Sequence, residues 1–300
     1  MTAPTLLLLG KSIHYHATLQ AGEPTLEMQI GRVLMRSIVA NDGRFNEEHF
    51  RNAYIQFMMR EGSHNDTYAS TCHRMFFANL VFAKLDPRDC PDDDGHNVET
   101  IDGLVLPTIT ALAETARHLS SAGDGTLSSE DVHRIRQSSA RTAAVTRKSK
   151  MLESVAEVWS TLVADSLIAS PSSDHREMQP AIVDVARKLG FAAPRAGGKD
   201  AMSACYLSQS LPPVLDMLMK YTPKNDVYSA LLANANRGGE NVHSGAVMGA
   251  ILGARAGDGA IPSAMEDGLY QAEEIRAEID SFVKTVARAG KRSNGTENEL

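Results

Sequence analysis

The residues best suited to chemistry in this 300-residue chain stand just before a glycine-rich stretch. Gly238-Gly239-Glu240-Asn241-Val242-His243 reads as a tight turn followed by a carboxylate, an amide and an imidazole. A turn of this kind running into a helix presents polar side chains where unpaired backbone N–H groups converge and anions bind. Gly238, Gly239 and Asn241 are therefore candidate ligand contacts, Glu240 a candidate metal ligand and His243 a candidate acid or base. His64 and Asp66 suit an acid–base pair, because histidine titrates near neutrality. The favoured reading is that Asn65 or Asp66 simply caps a following helix. His14-Tyr15-His16 sets two imidazoles on one side of an extended segment. With Glu23, Glu240 and His243 they form a donor set for zinc or manganese, and each also reads as a hydrogen-bonding histidine of a polar cleft.

Helical periodicity supplies the frame for these residues. Gly245, Gly249, Gly253 and Gly257 recur every fourth position, with Ala246, Ala250 and Ala254 beside the first three. That spacing makes one narrow stripe on a helix. Each interior glycine costs a helix about 0.5–1 kcal/mol relative to alanine, so close backbone packing is expected to offset it. Leu26, Ile30, Val33, Leu34 and Ile38 form an apolar face closed by Asn41-Asp42-Gly43. Asn46 predicts an N-cap ahead of Glu47 and Glu48, and Ser128 with Asp131 predicts a capping box. His64 to Thr67 predicts another helix start, and Asp92, Asp93 and Asp94 a solvated acidic loop. Gly123-Asp124-Gly125 predicts a turn and Ser170 to Glu177 a polar loop. Helices are expected from about Met202 to Tyr221, with Pro212-Pro213 near a boundary, and from about Met265 to Ala289. No strand alternation and no repeat is visible. The expectation is an all-α, single-domain globule over residues 1–289, with a polar disordered tail at 290–300.

Composition excludes several classes of function. The net charge is −7, with both signs spread along the chain and no basic run, so nucleic acid has no electrostatic footprint. The three cysteines lack CxxC spacing, which points to a reducing, cytoplasmic setting. Leu6 to Leu9 is too short for a signal or a membrane span, and charged residues bracket the Gly/Ala stretch too closely for it to cross a bilayer.

The turn and its Gly/Ala helix resemble the C-terminal signature of the ADP-ribosylglycohydrolase family. That signature runs Gly-Gly-Asp-Thr-Asp-Thr/Asn, then an Ala-x-x-Gly-Ala-x-x-Gly-Ala helix, then Gly and Ile-Pro. Ala246, Gly249, Ala250, Gly253, Ala254, Gly257 and Ile261-Pro262 match it. Ala21-Gly22-Glu23-Pro24-Thr25-Leu26 looks like the family's Thr-Asp-Asp-Thr helix start. His64 to Tyr68, His73 to Phe77, Gly103-Leu104 with Pro107, and Cys205-Tyr206 with Leu211-Pro212 look like one branch of it. The likeness covers roughly residues 12–275, and J1-crystallins belong to the same wider family. It implies an all-α fold with a cleft for small-molecule or protein-linked ADP-ribose. It also implies two magnesium ions between the acidic motifs, which activate water for hydrolysis of the bond to ADP-ribose. This chain departs from that pattern. Glu240 and Val242 replace the two aspartates of the C-terminal motif, and Glu23, Pro24 and Thr25 stand where Thr-Asp-Asp would be. The family's opening helix has no counterpart, so the domain is expected to be N-terminally short. The resemblance leaves Glu23, Thr25 and Glu240 as metal ligands, with Asn241, and Glu23, Asp66 and His243 as catalytic groups. His16 and His64 join Gly238, Gly239 and Asn241 as ligand contacts. It leaves equally open a chain that takes no metal: a non-catalytic ADP-ribose-binding pseudoenzyme or a crystallin-like structural protein.

Overall fold

The computed structural model describes residues 15–122, 125–169, 177–197, 203–257 and 259–295. Among them are thirteen α-helices and no strand of a sheet, so the fold is all-α as expected. In chain order they are α1 (Leu26–Ala40), α2 (Glu47–Met59), α3 (Thr71–Val81) and the short α4 (Gly95–Val98). A 3-10 turn at Ile101–Leu104 leads into α5 (Val105–Ala122), followed by α6 (Ser129–Ala144), α7 (Lys150–Ile168) and α8 (Gln179–Lys188). The last five are α9 (Leu207–Tyr221), α10 (Val227–Arg237), α11 (Asn241–Ala256), α12 (Ser263–Asp267) and α13 (Ala272–Gly295). His14, most of the 170–177 loop, Gly123-Asp124 and the last five residues lie outside the described residues.

Two apolar cores share α5. Leu26, Ile30, Leu34 and Ile38 of α1 pack with Phe50, Tyr54 and Phe76, and with Leu106 and Ala113 of α5. Val105 and Ala111 of the same helix join Trp159, Leu162, Ile182, Leu211, Val247 and Ile251 in the other core. The Trp159 indole N–H donates to the Thr108 hydroxyl at 2.9 Å, so the largest buried side chain keeps its polar atom paired.

The predicted caps at Asn46 and Ser128 form, each side chain accepting from the third helical N–H. Pro212 and Pro213 lie inside α9 and not at its boundary. The carbonyls they leave without helical donors belong to Ser208 and Gln209, both of which are exposed residues. The helix expected from Met265 is broken: Gln271 has φ 58° and the Tyr270 N–H donates to the Gly22 carbonyl at 2.9 Å. That bond ties the last helices to the start of α1. The tail expected from residue 290 is helical to Gly295. Gly290 packs so closely on α5 that an added Cβ would sit 2.2 Å from the Arg117 carbonyl oxygen. Polarity on its outer face concealed this contact.

Candidate functional site

Three isolated backbone bridges gather loops from distant parts of the chain. Asp92 pairs with Arg147, Thr100 with Tyr206, and Ser203 with Gly239. Ile101 N–H donates to the Cys205 carbonyl and Leu207 N–H to that of Glu99, while Glu240 N–H donates to Ser203. The last bridge depends on the Gly-Gly turn, where Gly238 and Gly239 have φ of 71° and 68°, a region that side-chain-bearing residues avoid. A cleft of about 160 Å³ opens where these loops meet, lined among others by Tyr68, Ser70, Thr100, Asp102, Tyr206, Glu240 and His243.

Glu240 caps α11 and holds His243. Its Oε1 accepts the His243 backbone N–H at 3.3 Å and the ring Nδ1–H at 2.6 Å. His243 is 5% exposed, and its Nε2 is buried with no hydrogen-bond partner. Burial alone would lower the imidazole pKa. The bond to Glu240 and the fields of Asp102 and Glu27 outweigh it and raise the value to about 9.

Asp102 forms the opposite charge centre. Its Oδ2 accepts from Arg147 Nη2 at 2.6 Å and from the Ser70 hydroxyl at 2.7 Å. Its Oδ1 accepts from Arg147 Nη1 at 3.3 Å and from the Thr100 hydroxyl. Burial would raise this carboxyl, but the Arg147 guanidinium and His243 hold it far below the usual carboxylate range. Behind the cleft, Glu27 accepts from His73 Nε2 at 3.0 Å, and the Tyr54 hydroxyl lies 2.7 Å from His73 Nδ1.

The residues singled out from sequence divide between this cleft and its surroundings. Glu240 and His243 share its wall. Asn241 does structural work: its amide donates to the Ala235 carbonyl, and its own carbonyl accepts from Asn234. Asp66 caps a helix, though a different one from that expected. Its Oδ2 accepts from Leu26 N–H at the start of α1, its Oδ1 from Tyr68 N–H, and His16 Nδ1 lies 2.8 Å away. The carboxylate is thus committed to α1, residues 64–70 stay non-helical, and the next helix starts at Thr71. His64 lies against Phe57, away from the cleft lining, its Nδ1 buried without a partner. Glu23 accepts from Gln20 N–H and the Asn65 amide. Asp92 is buried while Asp94 caps α4, so only part of the acidic loop is solvated.

A divalent metal does not fit this donor set. Neither Glu23 nor Thr25 lines the cleft that holds Glu240. The Thr25 hydroxyl is buried and unpartnered, but it is one neutral oxygen where magnesium needs several. Asp102, Glu240, Glu27 and Asp66 each already face a basic group of the chain. Among the described residues no group of three or more His, Cys, Asp or Glu is placed to hold an ion.

Asp102 and Arg147 are the site residues that sequence reasoning missed. Each is a charged residue beside an apolar run: Asp102 precedes Leu104-Val105-Leu106, and Arg147 follows Ala143-Ala144-Val145. A charge among apolar residues signals a buried, paired group.

A family model described as ADP-ribosylglycohydrolase matches residues 4–294 of the sequence. No curated protein matches it. Among solved structures, one titled "ADP-ribosylglycohydrolase-related protein complex" is similar over 91% of this chain and 82% of its own, with TM-score 0.59 and 18% identity. At that identity the likeness speaks for the fold alone.

Proposed function

The chain belongs to the ADP-ribosylglycohydrolase family, and from that premise we propose that it binds an ADP-ribosyl group in the cleft between Asp102 and His243 and hydrolyses its N- or O-glycosidic bond. The observation that carries this reading is His243: buried on the cleft wall, held through Nδ1 by Glu240, and left with Nε2 unpartnered. Hydrolysis breaks the bond between the anomeric carbon and the leaving nitrogen or oxygen, joins water oxygen to that carbon, and requires a proton on the leaving group, while the proton that the water loses passes to solvent and restores the acid. An imidazole with a pKa near 9 is mostly protonated at neutral pH, so His243 supplies that proton from Nε2. Glu240 keeps the ring in place and favours its charged form. Of the remaining catalytic candidates, Asp66 supports the start of α1 and Glu23 closes the turn before it.

A second reading is a non-catalytic reader of ADP-ribose, or a crystallin-like structural protein on the same fold. One observation favours it: the Asp102 carboxylate, held far below its usual range, is a weak base for activating water. The discriminating experiment offers ADP-ribosylated arginine and serine peptides to the wild type and to His243→Gln. The hydrolase reading expects release of ADP-ribose that falls by about 10²-fold or more in the variant, the scale of a lost general acid. Binding of ADP-ribose without release leaves a reader, and neither result leaves the structural role.

A further inference from the structure

We propose that this cleft carries its own fixed cation, the Arg147 guanidinium seated on Asp102, and does not recruit a divalent metal. A guanidinium stays charged at every accessible pH. Arg147 is 2% exposed, and three of its four described hydrogen bonds go to the cleft wall: two to Asp102 and one, at 2.9 Å, to the Thr100 hydroxyl. The fourth goes to the Val98 carbonyl at 3.3 Å. Asp102 in turn receives four donors, two from Arg147 and one each from Ser70 and Thr100. Its oxygens therefore present no open side to an ion. The other carboxylate on the wall, Glu240, is turned onto His243 and the first turn of α11.

A hard dication needs several oxygens free to rotate towards it, at short range. Placing it beside Asp102 would set it against a buried guanidinium in a medium that screens charge poorly. The same guanidinium supplies, from within the chain, the positive charge that balances Asp102 behind the polar wall. With both hydroxyl hydrogens turned onto Asp102, the Ser70 oxygen keeps its lone pairs for the cleft, and the Thr100 oxygen, which already accepts from Arg147 Nη1, keeps one. Such a wall suits a hydroxyl-rich sugar ring, which donates to those oxygens. This last step rests on the reading of the cleft as an ADP-ribosyl site; the absence of metal recruitment does not.

The test uses the full chain and the metals alone. Purified wild-type protein is assayed for bound metal, and its thermal midpoint is followed in EDTA and in millimolar Mg²⁺ or Mn²⁺. A site with a dissociation constant a hundredfold below the added metal would raise the midpoint by roughly 4 °C in a chain of this length. The proposal expects sub-stoichiometric metal, no fall of the midpoint in EDTA and no rise with either ion. One or more equivalents of retained metal, or a midpoint that falls in EDTA, overturns it. Arg147→Gln releases Asp102 and is expected to gain a response to Mn²⁺ that Arg147→Gln with Asp102→Asn lacks. A folded Arg147→Gln with no Mn²⁺ response also overturns the claim that the guanidinium fills the cation's place. If that variant fails to fold, the wild-type metal measurements still decide. Titration with ADP-ribose in EDTA keeps the two ideas apart. Binding only with added metal sinks this inference and spares the functional reading; no binding under either condition, with no metal recruited, does the reverse.

Discussion

His243 sits in two opposed environments, and the balance between them has a consequence for stability. Burial disfavours its charged form, while Glu240 at 2.6 Å and the nearby Asp102 and Glu27 favour it, and the second influence wins. The pKa in the folded chain is thus raised above that of an unfolded histidine. The charged form is therefore favoured by folding, and its contribution is fully present below about pH 6.5. It is lost as pH rises through about 9. A shift of this size corresponds to roughly 3 kcal/mol. Urea unfolding at pH 6 and pH 9.5 should show wild type losing more stability than His243→Gln by an amount of that order; equal losses would mean that folding does not raise the pKa of this ring. Glu240 and His243 stood out in the sequence because a Gly-Gly turn running into a helix presents polar side chains at the helix N-terminus; that Glu240 caps α11 and holds the ring is what the fold adds. The partners of Asp66 were not legible: Leu26 lies forty residues away, and only the folded chain brings its N–H to that carboxylate.

At the scale of elements, the Gly/Ala stripe of α11 divides into positions with different duties. An added Cβ at Gly245 would lie 2.8 Å from Asn234 Nδ2, the atom that donates to the Asn241 carbonyl at 2.6 Å. At Gly249 it would lie 3.3 Å from the flexible end of Leu231, and at Gly253 it would meet nothing within 4 Å. The packing expected of the stripe therefore holds against α10 near the start of α11 and fades towards its end. Gly253→Ala should stabilise the chain by about 0.5–1 kcal/mol through helix propensity alone. Gly245→Ala gains the same propensity, but displacing Asn234 leaves the Asn241 carbonyl unpaired at a cost of about 1–3 kcal/mol, so the net effect should be destabilising by about 1 kcal/mol. Thermal midpoints in the order Gly253→Ala, wild type, Gly245→Ala check this, and the reverse order would remove Asn234 as the reason for Gly245. The helices themselves were readable because apolar spacing and caps are local signals. The breaks were harder to read. The pause before α13 depends on Tyr270 meeting the Gly22 carbonyl, a contact between opposite ends of the chain.

The whole molecule joins two apolar cores through α5 and closes them with α13, whose Glu278 accepts from both Arg32 and Arg36 of α1. The all-α class and the family were legible because one fixes the period of the apolar residues and the other leaves a signature of small residues. The charge plan of the cleft was not. It depends on which carboxylate meets which base across loops that the fold, through short backbone bridges, brings together. None of the described helices is long and apolar enough to cross a membrane. The central claim, an ADP-ribosyl cleft whose positive charge comes from the chain itself, is met most directly by calorimetric titration of ADP-ribose into wild-type protein in EDTA. Saturable one-to-one binding, unchanged when EDTA is replaced by magnesium and weakened about tenfold or more by His243→Gln, is the predicted result, since a charge-assisted hydrogen bond is worth about 1.5–3 kcal/mol. Binding that appears only with magnesium, or that His243→Gln leaves untouched, would contradict it.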